Sequence, residues 1–468
     1  MLIKNKIIMF ILVLISVVTV GIGFYFNNLP NLYLIGLSLF YLVFDIVIFF
    51  LIKRKNKFIS FIGVLLSLIV IIVSIILSFI FIRVQLLFNN ISDRKQEFDT
   101  YGVIVLKSSD YKYINDIDGK SLGYLKNGDS NYNKAFKRLK MECKALYSDY
   151  DNVLVLAKKL FNNEVEAIFL NKAYITILDE GIEDFSSNVK ILNEVRVKKK
   201  SEAEKNNKVD IDKNKSFNVY ISGIDTYGNI DSVSRSDVNV IATVNLNSEN
   251  ILLTNIPRDM YVELAGKDGY RDKLTHAGVY GINTSIRTIE NFLDININYY
   301  ARINFSSLIR LVDYIGGIDV YSDYSFSVAG YDFEAGMNYN LSGKEALAFS
   351  RDRYSFKDGD RQRGRNQEKV IAAIISKVTN SYDINTYLNL INTLESNFQT
   401  NMDRDMMNKL IYMQLKNNYR WNISFSEVNG YDSFNYTYSY PWQKLYVMEV
   451  DKNSLNRAKI KIKEVIAK

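Results

Sequence analysis

Asp225 and Asp237 stand twelve residues apart, one at the end of a strand-like run and the other at the start of the next. That spacing allows a strand, a loop and a return, so the two carboxylates can converge at one sheet edge. Paired carboxylates suit a hard cation such as Mg²⁺, bound jointly with a substrate phosphate. Turn-forming or capping aspartates present the same pattern. The chain has one cysteine, Cys143, and one histidine, His276. An intramolecular disulfide, a zinc centre built from several Cys and His, and a nucleophile–base pair repeated along the chain are therefore excluded. Chemistry falls to carboxylates, arginines, lysines, hydroxyls or a hard metal.

Two further clusters are polar where the flanking elements are apolar. Ile256-Pro257-Arg258-Asp259 closes a strongly apolar strand. Pro257 ends the ladder and leaves Arg258 at the sheet terminus, where α/β folds place ligands. An exposed ion pair between Arg258 and a neighbouring acid is the plainer alternative. The other cluster runs Arg351-Asp352-Arg353-Tyr354, then Asp358-Gly359-Asp360-Arg361-Gln362-Arg363-Gly364-Arg365-Asn366-Gln367. Residues 351–365 hold six basic side chains and three acids. Arginine forks match phosphate oxygens with paired hydrogen bonds and keep their charge at any working pH. A helix expected from Asn366 would add the positive field of its N-terminus. These features favour an anion site over a solvated charge run.

The elements that must position these residues begin in a membrane. Ile7–Phe26 and Phe58–Ile82 carry no charge, and Leu32–Ile52 carries only Asp45, so each reaches the length a helix needs to cross hydrocarbon. Lys4 and Lys6 precede the first span, and Lys53, Arg54, Lys55 and Lys57 lie between the second and third, whereas Asn27–Asn31 is uncharged. Positive loops stay in the cytoplasm, which predicts a cytoplasmic N-terminus and an extracytoplasmic remainder. No small-residue cleavage site follows Phe24-Tyr25-Phe26, which argues against a cleaved signal peptide. Of the net charge of +7, residues 1–82 hold +5, leaving +2 outside. That is sparse for nucleic-acid binding, and the topology removes chromosomal DNA as a direct partner.

Periodicity divides the chain into a three-span anchor (1–83), an accessory α/β domain (84–197), a charged linker (198–215) and a larger α/β domain (216–468). In the accessory domain, Tyr101–Lys107, Lys120–Lys126, Val165–Leu170 and Val189–Val197 read as strands. Tyr132 to Leu146 and Val153–Phe161 read as helices. The linker has only two large apolar residues, Val209 and Ile211, and cannot bury a core. In the larger domain, strands Phe217–Ile224, Val238–Val244, Asn250–Ile256, Tyr299–Ile303, Ile318–Tyr321 and Leu445–Val450 interleave with helices such as Ile282–Leu293, Thr386–Leu394 and Asp405–Leu415. This predicts a central sheet flanked by helices.

Taken in order, Gly223-Ile224-Asp225, Arg235-Ser236-Asp237, Ile256-Pro257-Arg258-Asp259 and Lys273-Leu274-Thr275-His276-Ala277 resemble the LytR–CpsA–Psr family. Val312-Asp313-Tyr314-Ile315-Gly316-Gly317-Ile318-Asp319-Val320, Leu341-Ser342-Gly343-Lys344-Glu345-Ala346-Leu347 and the arginine-rich segment continue the match. The three spans and accessory domain are similar to that family's capsule-type branch. The resemblance implies transfer of a glycopolymer, such as capsular polysaccharide or teichoic acid, from a polyprenyl-pyrophosphate carrier in the membrane lipid to peptidoglycan. It further implies that Asp225 and Asp237 hold Mg²⁺. Arg258, Arg351, Arg353, Arg363, Gln367 and Lys273 would meet the pyrophosphate, with Arg258 and Arg353 also acting in catalysis, and Asp360 would activate the acceptor hydroxyl. Ser234 and Asn366 depart from frequent glycine and arginine positions, while the acidic and anion-binding positions remain. A phosphatase acting on the same lipid, or a non-catalytic sensor of lipid phosphate, would share the anion site. A sensor has no need of a base at Asp360.

Overall fold

The computed structural model describes residues 3–26, 31–93, 97–199, 215–224, 230, 233–380 and 398–467. Most of the charged linker (200–214), Asp225 and the helix expected at Thr386–Leu394 lie outside the described residues. The chain forms two compact units, 1–93 with 402–420, and 94–401 with 421–468.

In the first unit, helices α1 (Ile3–Phe26), α2 (Asn31–Lys53) and α3 (Lys57–Asp93) are long and apolar enough to cross a membrane. α3 continues through Asp93 into the stretch expected to be a polar neck. Beyond Ile82 no glycine or proline interrupts the helix, and the sequence there keeps good helix formers such as Gln85 and Leu86. The few polar groups face neighbouring helices. Thr19 Oγ1 lies 2.9 Å from Ser78 Oγ, the Ser74 hydroxyl donates to Tyr41 at 2.9 Å, and Ser16 Oγ donates to Asp45 Oδ1 at 3.4 Å. Phe10, Val17, Leu42, Phe50, Ile72 and Phe79 stay exposed, as hydrocarbon-facing side chains would be. The helix Arg404–Asn417 is N-capped by Asp403.

The second unit contains, among the described residues, two large sheets and four two-stranded ones. Strands β1 (Phe98–Leu106), β2 (Ser121–Leu125), β3 (Leu146–Tyr150), β4 (Ala167–Asn171) and β5 (Val189–Lys198) form the first, in the order β3-β2-β4-β1-β5. β3 was not foreseen, because Leu146 continues the apolar spacing of the preceding helix. That helix instead ends at Glu142, with Cys143 extended, and Leu146 enters an edge strand largely exposed. Along β1, Tyr101, Val103 and Val105 bury into one core with Tyr132, Phe136 and Leu139, while Ile104 joins the other with Leu156, Leu160, Ile168 and Leu170. This second core also takes in Val233, Val279, Tyr440 and Leu445, so the first sheet shares its apolar interior with residues of the second layer.

The second sheet is built on β6 (Ser216–Ile224), β7 (Ser236–Asn245) and β8 (Asn250–Asn255), consecutive and antiparallel. Tyr299–Asn304 adds parallel to β6, Asn422–Glu427 adds parallel to β8, and Phe398–Thr400 closes the other edge. Helices Ile282–Leu293 and Lys452–Ala467 cover one face through Ile289, Leu293, Ala458 and Ile462. The helix Asp360–Asn380 covers the other through Ile371, Ala372 and Ile375, which pack on Val240, Ala242, Ile251 and Leu253. The expected helix at Asn366 thus begins six residues earlier, and Arg361, Arg363 and Arg365 occupy its first turns rather than a loop. Gly364 permits this, since a Cβ there would meet the buried Asn255 side chain at 2.3 Å.

Candidate functional site

The site forms where β6 ends and β7 begins. Ile224 pairs with Ser236 after a register break between Gly223 and Ile224, which sets Asp237 at this end of the β6–β7 ladder. Asp237 lies there with its side chain 11% exposed. Its Oδ1 accepts from Thr275 Oγ1 at 2.8 Å and faces Arg258 Nη1 at 3.1 Å. Thr275 is held in turn by its backbone N–H, which donates to the Arg258 carbonyl at 2.8 Å. The segment Arg258–Asp259 and the short helix Leu274–Ala277 therefore brace the same carboxylate from two sides.

Arg258 is the hub. Its Nε lies 3.5 Å from Asp259 Oδ2 and 3.9 Å from Asp360 Oδ1, and Arg363 pairs with the same Asp360 oxygen. Burial pushes the Asp237 carboxyl up, but Arg258, Arg235, Arg363 and the Thr275 hydroxyl outweigh it and hold Asp237 well below the usual carboxylate range. For Arg258, burial works against the charge and the carboxylates of Asp237, Asp259 and Asp360 more than restore it. Arg363 goes the other way: burial, together with the neighbouring charges of Arg258 and Arg353, lowers its pKa against the pull of Asp360 and Asp237. Cations crowded into a partly dry pocket are better served by an arriving anion than by one another.

A narrow cavity opens beside this cluster, lined by Asp237, Arg351, Arg363 and Gln367 and walled by Ile224, Val238, Ile303, Phe305, Leu308 and Leu347. The Arg351 guanidinium stacks on the Phe305 ring at 4.2 Å. Arg258, Arg353 and Asp360 do not line the cavity. Arg353 donates to the Tyr354 hydroxyl at 2.6 Å, near enough to Arg363 to be felt electrostatically. Lys273, expected to meet substrate, does not line it either. Its side chain is 3% exposed and engaged by Glu180 at 3.0 Å and Asp259 at 3.2 Å. Thr275, Asp259 and Arg235 were present in the recognised motifs without a role. Their work is to hold other side chains, which becomes visible only once the strand ends meet.

As a cation ligand, Asp237 has suitable chemistry: an ionised carboxylate lining an arginine-bearing cavity, with both of its hydrogen-bonding partners on Oδ1. Among the described residues, no three His, Cys, Asp or Glu side chains come together in a metal-holding group.

The same segments are found in known proteins. The chain is 37% identical over 212 residues to the polyisoprenyl-teichoic acid–peptidoglycan teichoic acid transferase TagU of Enterococcus faecalis, covering 45% of this chain and 69% of that protein. It is 34% identical over 226 residues to the enzyme of the same name from Bacillus cereus, covering 48% and 73%. Among solved structures, B. subtilis TagU aligns with 31% identity and a TM-score of 0.43 over 54% of this chain and 97% of that one. The LytR_cpsA_psr family model matches residues 183–462, more than half of the sequence and every cluster of the site, and the chain belongs to that family.

Proposed function

We propose that this protein transfers a glycopolymer from a polyprenyl-pyrophosphate carrier to peptidoglycan on the outer face of the membrane. The observation that carries this reading is a cavity whose polar lining includes Asp237, Arg351, Arg363 and Gln367 and whose walls include six apolar side chains, from Ile224 to Leu347. A prenyl pyrophosphate has that same division between charge and hydrocarbon. The relatives' printed names describe transfer of teichoic acid to peptidoglycan, a transferase activity of the kind this site can perform. The three apolar helices support tethering of the chain to a bilayer, where a lipid-linked donor is confined. The Lys/Arg-rich loop Lys53–Lys57 supports an outward orientation of the second unit.

In this reading Arg258, Arg351, Arg353 and Arg363 surround the pyrophosphate, and Gln367 donates an amide hydrogen bond. Asp360 takes the proton of the acceptor hydroxyl. The hydroxyl oxygen bonds to the glycan side of the donor while the carrier side leaves with the electron pair, its charge held by the arginines. Asp237, with Asp225, would hold Mg²⁺, which when bound supplies further neutralisation of the phosphate oxygens.

The test is turnover by the full chain in lipid vesicles, given a short-chain prenyl-pyrophosphate-linked glycan and peptidoglycan. Label should move from lipid to peptidoglycan. Release of free glycan with no adduct would make the protein a phosphatase, and an intact donor would remove the catalytic reading altogether.

A further inference from the structure

The first sheet of the second unit reaches the site through one loop. The short helix Ile175–Leu178 buries Ile177 and Leu178 completely, and the chain then turns through Glu180 and Gly181 toward the second layer. Gly181 lies hard against Tyr440: a Cβ there would fall 1.6 Å from the Tyr440 hydroxyl oxygen. Gln443 donates to the Glu180 carbonyl at 3.4 Å, and Arg235 Nη1 donates to the Thr176 carbonyl at 3.1 Å. The loop is therefore pinned on both sides, and the Glu180 carboxylate is delivered to Lys273 with both oxygens 3.0 Å from Nζ.

From there charges alternate without a gap. Lys273 Nζ is 3.2 Å from Asp259 Oδ1, Asp259 Oδ2 is 3.5 Å from Arg258 Nε, and Arg258 Nη1 is 3.1 Å from Asp237. We infer that Glu180 is a positioning residue for the transfer reaction, acting through Lys273 and Asp259 to set where the Arg258 guanidinium stands. The inference rests on the proposed reading of the anion site and gives the accessory layer a part in it. An ammonium with almost no access to solvent must find carboxylate partners. With Glu180 in place it divides its donors between two acids. Without it, Lys273 falls wholly on Asp259, loosening Asp259 from Arg258 and changing the guanidinium's balance among Asp237, Asp259 and Asp360. Small displacements of a charged group at a reacting centre cost roughly a hundredfold in rate.

The experiment is a double-mutant cycle on the full chain in vesicles, reading kcat and KM for a short-chain prenyl-pyrophosphate-linked glycan, with thermal melts to confirm folding. Glu180→Gln should lower kcat roughly ten- to a hundredfold, and Glu180→Asp should recover part of that. Against Lys273→Met, the same Glu180→Gln change should cost less than about twofold, because the double variant leaves neither charge stranded. A purely structural glutamate would lower the melting temperature and leave kcat of the folded fraction unchanged, which overturns the inference. Equal kcat losses in both backgrounds overturn it too, because the effect would then not pass through Lys273. Arg353→Ala serves as the control: if it retains full donor affinity, the anion-site reading itself fails, whereas if it loses affinity while Glu180→Gln is silent, only the positioning role fails.

Discussion

The Arg258 guanidinium meets the Asp237 carboxylate at 3.1 Å, with both side chains close to nine-tenths buried. A pair of this kind is held only if its surroundings satisfy the remaining donors and acceptors. Here Thr275 shares Asp237 Oδ1, while Asp259 and Asp360 offer Arg258 Nε charge at 3.5 and 3.9 Å without a hydrogen bond. Neither partner can be replaced by a side chain of equal charge and different shape without disturbing the others.

Arg258→Ala should lose affinity for a short-chain prenyl pyrophosphate by about 1.5–3 kcal/mol per charge-assisted hydrogen bond removed. Arg258→Lys should restore little of it, since a point charge cannot reproduce the forked geometry. Titration of the full chain in vesicles measures both. Parental affinity in the lysine variant would mean that charge alone is recognised.

Asp360→Asn should fold and bind donor as the parent does, and slow transfer by roughly 10²–10⁴-fold, the usual span for removing a positioned base. Asp237 is held ionised well below the ordinary carboxylate range, so loss of activity at pH above ~4 is not its titration. Transfer at the parental rate in the asparagine variant would remove Asp360 from the reaction.

What could be read from the sequence divides by range. Strand Leu445–Val450 and helices Ile282–Leu293 and Val153–Phe161 match their apolar patterns to the residue, because each buries a continuous stripe against one neighbour. The start of the arginine helix did not. Arg361, Arg363 and Arg365 read as loop because they lack apolar periodicity, yet Arg363 and Arg365 find ion-pair partners in Asp360 and Asp358 within their own segment, and Arg361 reaches the Gly430 carbonyl. The recognised arginines and Asp237 come together, but Lys273 turns away to Glu180, ninety-three residues earlier in the chain. No local pattern marks Glu180, because its meaning lies in the docking of one sheet layer on another.

Topology carries its own test. Protease added to intact, wall-stripped cells should remove residues beyond α3 if the lysine-rich loop Lys53–Lys57 stays inside, as positively charged loops do. Complete protection of that portion would reverse the orientation and take the site away from its acceptor.

Glu368 lies two turns into the arginine helix, 2% exposed, with Oε1 lacking a hydrogen-bond partner. Burial first, and the nearby Glu427 charge second, push its carboxyl well above the usual carboxylate range, against the hydrogen bond from the Asn255 backbone. The folded protein therefore keeps a proton on Glu368 that the unfolded chain gives up from about pH 4.3. In that window the native state binds more protons than the unfolded state, so this residue's contribution to stability falls as pH rises. Glutamine has the shape of the protonated acid and does not titrate. Glu368→Gln should melt with the parent at pH 4 and above it at pH 8, the gap widening steadily between. Thermal melts of the full chain across that range decide the matter: a gap of the same size at both ends would mean that Glu368 is already ionised and paired in the folded protein.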